Sequence, residues 1–241
     1  MSKVFKVFAG ILVLSAAILV WPAYQFYQEI SKSTSEDPTV WEENIQALEE
    51  RAADHFVPGE AVVFVGSSSI RLWSSLAEDM APIPVIQNGF GGAKLNDVVY
   101  YAERLVNNFN PRAVVVFAGT NDLHPGSTKP PEVLLRSYQA FVSTVRGAQP
   151  ELPIYFIAIT PSPLRWEIWE LAQETNQLIT QWSKSQSGLY VIDTGPALLN
   201  ASGEPGPDNY LFDGLHLSDQ GYSIWTSIIK PPLMRELEFT E

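Results

Sequence analysis

The stretch Ala61-Val62-Val63-Phe64-Val65-Gly66-Ser67-Ser68-Ser69-Ile70 decides how the rest of the chain is read. The run Ala61–Val65 offers no polar side chain to solvent, so it reads as a strand buried on both faces. Gly66 and three serines end it, and a helical pattern follows over Ile70–Ala77. Strand, tight turn and helix in that order open a βαβ unit, since parallel strands need a crossover between them.

Four more compact apolar runs follow, at Pro84–Gln87, Ala113–Phe117, Ile154–Ile159 and Leu189–Ile192. Helical patterns fill the gaps at Asn96–Asn107, Pro131–Ala148 and Leu164–Ser185, and a last one covers Ser218–Ile229. This alternation predicts an α/β fold, a doubly wound, flavodoxin-like sandwich around a five-stranded parallel sheet. Upstream, Asp37 as N-cap and Pro38 at the first helical position open an amphipathic helix that runs to about Asp54. Its Trp41, Ile45 and Leu48 share one face. No internal repeat appears.

A length of 241 residues allows one domain of ordinary size plus an appendage. Fifteen Lys and Arg against 27 Asp and Glu give a net charge of −12, which repels phosphate backbones and argues against a nucleic-acid partner. With no Cys there is no disulfide, no thiol nucleophile and no Cys-ligated zinc. Only His55, His124 and His216 can act as a general-base histidine.

A hydrophobic fraction of 46% beside only 17% charged residues leaves apolar sequence over after the core is filled. The excess sits at the N-terminus, where Lys3 and Lys6 precede the uncharged run Val7–Tyr27. About 20 apolar residues span a bilayer core as a helix, and Trp21, Tyr24 and Tyr27 fit the far interface. The expected division is residues 1–31 as membrane anchor or signal segment, 32–37 as a polar tether and 38–241 as the globular domain. An uncleaved anchor is the preferred reading. A cleaved signal peptide is its rival, although Ser15-Ala16-Ala17 lies inside the apolar run and is a poor cleavage site. A buried core helix is the third option. Anchor and signal both place the domain outside the cytoplasm, because Lys3 and Lys6 stay inside.

In doubly wound sheets, ligands bind outside the carboxyl ends of the strands. After the first strand comes Gly66-Ser67-Ser68-Ser69, where a serine at a helix N-terminus reads either as a nucleophile favoured by the dipole or as a helix cap. After the second comes Asn88-Gly89-Phe90-Gly91-Gly92, and after the third Gly119-Thr120-Asn121-Asp122. The Gly92 backbone N–H and the Asn121 amide suit oxyanion donors, while a flexible turn and an Asx-turn are the alternatives. After the fifth strand comes Asp213-Gly214-Leu215-His216, either a surface turn or a carboxylate–imidazole pair able to deprotonate a serine.

Taken together, these four blocks resemble in order and spacing those of the SGNH hydrolases, also called GDSL-type esterases and lipases, over about Glu60–Pro232. The resemblance implies Ser68 as nucleophile and Asp213 with His216 as the rest of a triad. It implies an oxyanion hole from Ser68, Gly92 and Asn121, with Ser68 giving its own backbone N–H. The family's Gly-Asp-Ser is Gly66-Ser67-Ser68 here, and the Asp that often follows the second-block glycine is Ala93. Ser68 is chosen among the three serines because Gly66 then falls two residues before it.

The other notable residues have plainer readings. His55 reads as a dipole partner or a surface residue at the end of the first helix, His124 as a loop residue near the site, and Asp122 as a loop brace. Trp169 reads as helix packing. Arg165 and Trp166 read as packing or as a pocket wall, in which Trp166 stacks on a sugar ring or Arg165 clamps an anionic group.

The expected protein is thus a membrane-anchored, extracytoplasmic serine esterase of the bacterial periplasm, needing no metal or organic cofactor, with secretion after signal cleavage as the alternative. Its expected partners are an acyl or acetyl ester of a carbohydrate or lipid, and the membrane through the N-terminal helix. Acyl transfer to a sugar hydroxyl and non-catalytic binding of an acylated glycan or lipid are the competing functions.

Overall fold

The computed structural model describes residues 31–52, 58–124 and 128–239. Five strands, β1 (Val62–Gly66), β2 (Val85–Gly89), β3 (Ala113–Phe117), β4 (Ile154–Ile157) and β5 (Leu189–Ile192), form one parallel sheet in the order β2-β1-β3-β4-β5. This is the doubly wound arrangement expected from the alternating runs. The order reverses between β1 and β3, which makes the crevice at their carboxyl ends the natural ligand site.

The two-residue period of a strand explains why the central runs, β1 and β3, are apolar throughout. Val63 and Val65 of β1, with Val114 and Val116 of β3, face one layer. Val62, Phe64, Val115 and Phe117 face the other. Against the first face lie α1 (Glu42–Ala52), α4 (Leu95–Tyr100), α5 (Ala102–Leu105), α6 (Pro131–Ala148) and α7 (Trp169–Ser183). Helix α6 buries Leu134, Tyr138, Phe141 and Val145, which the 3.6-residue repeat puts on one side. Against the second face lie α2 (Ser68–Arg71), α3 (Leu76–Met80) and α8 (Asp219–Glu236). Trp225 fills its centre, edge-on to Phe117 at 4.9 Å and to Trp73 at 5.7 Å. Each fully buried side chain of this size contributes about 1.5–3 kcal/mol.

Three expected helices are interrupted, the first two by a tertiary contact. The pattern over Ile70–Ala77 splits into α2 and α3 because the Gln87 amide donates to the carbonyls of Ile70 (2.7 Å) and Trp73 (2.9 Å). The pattern over Asn96–Asn107 breaks at Tyr101, whose hydroxyl donates to the Pro38 carbonyl at 3.0 Å. The pattern over Leu164–Ser185 starts as a 3-10 turn, Pro163–Ile168, with Arg165 at φ −113°, ψ 19°, before α7 begins. Strand β4 stops at Ile157, short of the expected Ile159, because the Asn176 side chain takes both the N–H and the carbonyl of Ile159. The last helix exceeds the expected Ile229 and carries Pro231 and Pro232 internally. Burial of Leu233 and Leu237 against the sheet offsets the lost backbone bonds.

At the N-terminal side, Asp37 caps a 3-10 turn, Pro38–Trp41, by accepting from the Thr39 N–H at 2.9 Å, and α1 follows. The polar stretch 32–37 lies against the domain: Lys32 donates to Asn44 at 2.9 Å, and Glu36 pairs with Lys94 and Lys129. The apolar run Val7–Tyr27 and His55 lie outside the described residues. Among the described residues, no helix is long and apolar enough to cross a membrane.

Candidate active site

Gly66, at the end of β1, adopts φ +149°, and a side chain there would overlap the Phe117 carbonyl of the neighbouring strand. A glycine is therefore required for the chain to turn sharply into α2. Ser67 stands at the N-cap and donates its N–H to that same carbonyl at 2.9 Å, yet its side chain makes no capping bond. Ser68 is the first helical residue, half-exposed at the strand exit. Tyr222 of α8 donates its hydroxyl to the Ser69 carbonyl at 2.8 Å and holds the turn from the other side.

The loop after β5 brings Asp213 and His216 to this serine. An antiparallel bridge between Tyr210 and Leu217 closes its base. Asp213 Oδ1 accepts from the N–H groups of Leu215 (2.9 Å) and His216 (3.0 Å). Asp213 Oδ2 lies 2.6 Å from His216 Nδ1, and His216 Nε2 lies 2.9 Å from Ser68 Oγ. Burial pushes the Asp213 carboxyl up, but the bonds from the His216 ring and the two backbone N–H groups outweigh it and hold the group below its usual range. Ionised Asp213 accepts from Nδ1–H, which leaves Nε2 free to accept from the serine hydroxyl. The same loop exposes Leu211 and Phe212, and the Gly214 carbonyl accepts from the N–H of Leu164, itself exposed.

Gly92 and Asn121 arrive from β2 and β3. At Gly91 (φ +24°) a side chain would strike the Trp41 ring, and at Gly92 a Cβ would lie 2.5 Å from that of Ser33. The Asn121 amide donates one N–H to the Ala93 carbonyl at 3.0 Å, which fastens it to the residue after Gly92 and leaves a second N–H to donate. Asp122 braces this loop: it is buried, accepts from the Leu95 N–H at 2.8 Å and pairs with Lys129 at 3.1 Å. Burial raises its carboxyl, against the pull of Lys129. His124 is exposed and lines a small cavity beside Asn121. Trp169 packs partly buried on the core and stacks with Trp166 at 6.4 Å.

The structure thus brings Ser68, His216 and Asp213 into one hydrogen-bonded chain and holds Asn121 against the Gly92 loop. Sequence reading missed Ser33, Glu36, Lys94 and Lys129 as neighbours of the site, because they reach it through long-range pairing that no local pattern signals. Among the described residues no cluster of His, Asp and Glu suits a metal ion.

A profile of the GDSL-like lipase/acylhydrolase family matches residues 65–224, which include Ser68, Gly92, Asn121, Asp213 and His216. The chain belongs to that family. Members are ester hydrolases, and the five-stranded sheet recurs in solved structures of such enzymes. A GDSL-like lipase from Bacteroides thetaiotaomicron superposes with a TM-score of 0.67 at 20% identity, over 80% of this chain and 98% of that one. A carbohydrate esterase family 3 protein from Talaromyces cellulolyticus gives 0.61 at 20% identity, over 75% and 100%. A lipase/acylhydrolase from Enterococcus faecalis gives 0.59 at 18% identity, over 76% and 99%. At these identities the likeness is one of fold. No curated protein matches the chain.

Proposed function

We propose that this esterase works through Ser68, His216 and Asp213, with oxyanion donors at the backbone N–H groups of Ser68 and Gly92 and the Asn121 amide. The observation that carries the reading is the chain Ser68 Oγ–His216 Nε2–His216 Nδ1–Asp213 Oδ2, at 2.9 and 2.6 Å. Ser68 Oγ attacks the acyl carbon while its proton passes to His216 Nε2, and the carbonyl π electrons move onto the oxygen facing the three donors. Collapse expels the alcohol oxygen, which takes the proton from His216. Water then gives a proton to His216 and attacks the acyl-enzyme, and the second collapse returns that proton to Ser68 Oγ. Asp213 stays ionised throughout and stabilises the imidazolium.

The substrate is an acyl or acetyl ester of a carbohydrate or lipid. Leu211, Phe212 and Leu164 supply exposed apolar surface beside the Asp213 loop, which suits an acyl chain or the apolar face of a sugar. The catalytic domain is held outside the cytoplasm by the run Val7–Tyr27, with Lys3 and Lys6 inside, as in a bacterial periplasm. Labelling with a fluorophosphonate probe tests the reading, because only an activated serine reacts. Label on Ser68, together with turnover of 4-nitrophenyl acetate, supports it. An unlabelled chain that still binds acylated glycan or lipid is a binding module. Acetyl transfer to an added polyol in preference to water marks a transferase.

A further inference from the structure

Among the described residues, Arg165 is the one lysine or arginine that lines the cavity beside Asn121 without an anionic partner. The cavity, of about 90 Å³, is bounded by Ser33, Glu36, Lys94, Asn121, Lys129 and Arg165, among others. Lys94 lies 2.6 Å from Glu36, while Lys129 lies 2.9 Å from the same carboxylate and 3.1 Å from Asp122. Arg165 has no such neutralising contact. It is only 9% exposed, and its Nε is sealed from solvent with no acceptor. Glu167 attracts it only from a distance. Burial holds the guanidinium below its usual range, yet an arginine stays charged at any physiological pH. A buried, unpaired charge is strongly unfavourable, so its retention needs a compensating role.

The backbone fixes where this residue sits. Arg165 donates its N–H to the Ser162 carbonyl at 3.1 Å, and Leu164 donates to the carbonyl of Gly214, next to Asp213, at 2.9 Å. The turn is therefore fastened to the loop that carries the carboxylate of the hydrogen-bonded chain. Arg165 is also the residue that leaves helical geometry there, and the one whose side chain is buried. A guanidinium presents a planar fork that matches a carboxylate or phosphate with two parallel bonds. The net charge of −12 repels anions at long range, so recognising one requires a local cation of this kind.

We infer that Arg165 is a specificity residue that pairs with an anionic group, carboxylate or phosphate, carried by the ester substrate near its scissile carbonyl. This rests on the serine-esterase reading above and narrows its substrate class.

Acetate release from two matched pairs tests the inference: glycerol 3-phosphate monoacetate against glycerol monoacetate, and O-acetylglucuronate against O-acetylglucose. In the unaltered protein, kcat/KM for the charged member of one pair should exceed that of its neutral partner by about tenfold or more. The pair that shows the excess distinguishes phosphate from carboxylate. Arg165→Gln should bring that ratio to about one and Arg165→Lys should keep part of it, as a point charge without the fork does. Each ratio is taken within one preparation, so any loss of folded enzyme cancels. Ratios near one for both pairs in the unaltered protein, or an advantage that survives Arg165→Gln, overturn the inference and leave Arg165 as a brace for its turn. If Arg165→Gln does not fold, the unaltered protein and Arg165→Lys decide. Release of acetate from none of the four esters, with no fluorophosphonate label, overturns the serine-esterase reading and this inference with it.

Discussion

Ser68 Oγ and His216 Nε2 face each other at 2.9 Å across the carboxyl edge of the sheet, and the direction of the bond is set by a third group. With Nδ1–H given to Asp213 at 2.6 Å, Nε2 has a lone pair to offer the serine proton. Ser68→Ala should therefore drop the hydrolysis of 4-nitrophenyl acetate to background and abolish fluorophosphonate labelling, with circular dichroism unchanged. Ser67→Ala should keep activity, since that side chain makes no capping bond. A dead Ser67→Ala with an active Ser68→Ala would shift the nucleophile by one residue.

Asp213→Asn keeps the shape of the loop but presents an amide to His216. It should lower kcat by about 10⁴ by favouring the wrong tautomer. Steady-state kinetics on the same ester measures this, and a loss smaller than tenfold would demote the carboxylate to a loop fastener through the Leu215 and His216 N–H groups.

Asn121→Ala should lower kcat by about 10²–10³ with little change in KM, as expected for a donor aimed at the developing oxyanion. The amide is also tied to the Ala93 carbonyl at 3.0 Å, so unchanged circular dichroism and fluorophosphonate labelling of Asn121→Ala serve as the control for loop structure. A raised KM with unchanged kcat would assign Asn121 to ground-state binding.

Acid should loosen α1 before the sheet. Arg104 holds the carboxyls of Glu42 and Glu49 below their usual range by hydrogen bonding, at 2.8 and 2.6 Å. Folded-state values below the unfolded value of about 4.3 mean that this stabilisation is present above pH ~4.3 and is lost as pH falls through the folded values. Hydrogen exchange of Glu42–Ala52 should accelerate over that window, and Arg104→Gln should give the fast exchange already at neutral pH. Exchange insensitive to both would show that Trp41, Ile45 and Leu48 alone hold the helix.

Removal of residues 1–31 should yield a soluble, active enzyme, because the first domain turn begins at Pro38 and β1 at Val62. Removal of residues 1–37 also deletes Glu36, the partner of Lys94 and Lys129, and Ser33, which lies against Gly92. That shorter chain should lose kcat/KM several-fold, and equal activity of the two would make the segment a mere connector. In the full chain, carbonate-washed membranes should retain the protein. Recovery of a mature N-terminus between Ala17 and Gln28 would show a signal peptide instead.

Local sequence was enough wherever a short-range rule applies. The five strands are short, largely apolar runs, with β1, β3 and β4 buried on both faces, so their number and rough limits were legible, and a parallel sheet followed from the helices between them. The same holds for Asp37 as a cap; for Ser68, Gly92, Asn121, Asp213 and His216 each local pattern also fits a cap or a turn, and only the four blocks taken together pointed to a site. Tertiary structure alone decided what depends on partners far away in the chain. Gln87 breaks a helix by taking the carbonyls of Ile70 and Trp73, and buried Leu233 and Leu237 carry α8 through two prolines. Glu36 folds a polar stretch onto Lys94 and Lys129, while Arg165 is turned inward with no anion to meet it. The physical reason is one of range. Strand and helix patterning is written in residues a few positions apart, whereas pairing, burial and the charge left unpaired depend on which surfaces the finished fold brings together.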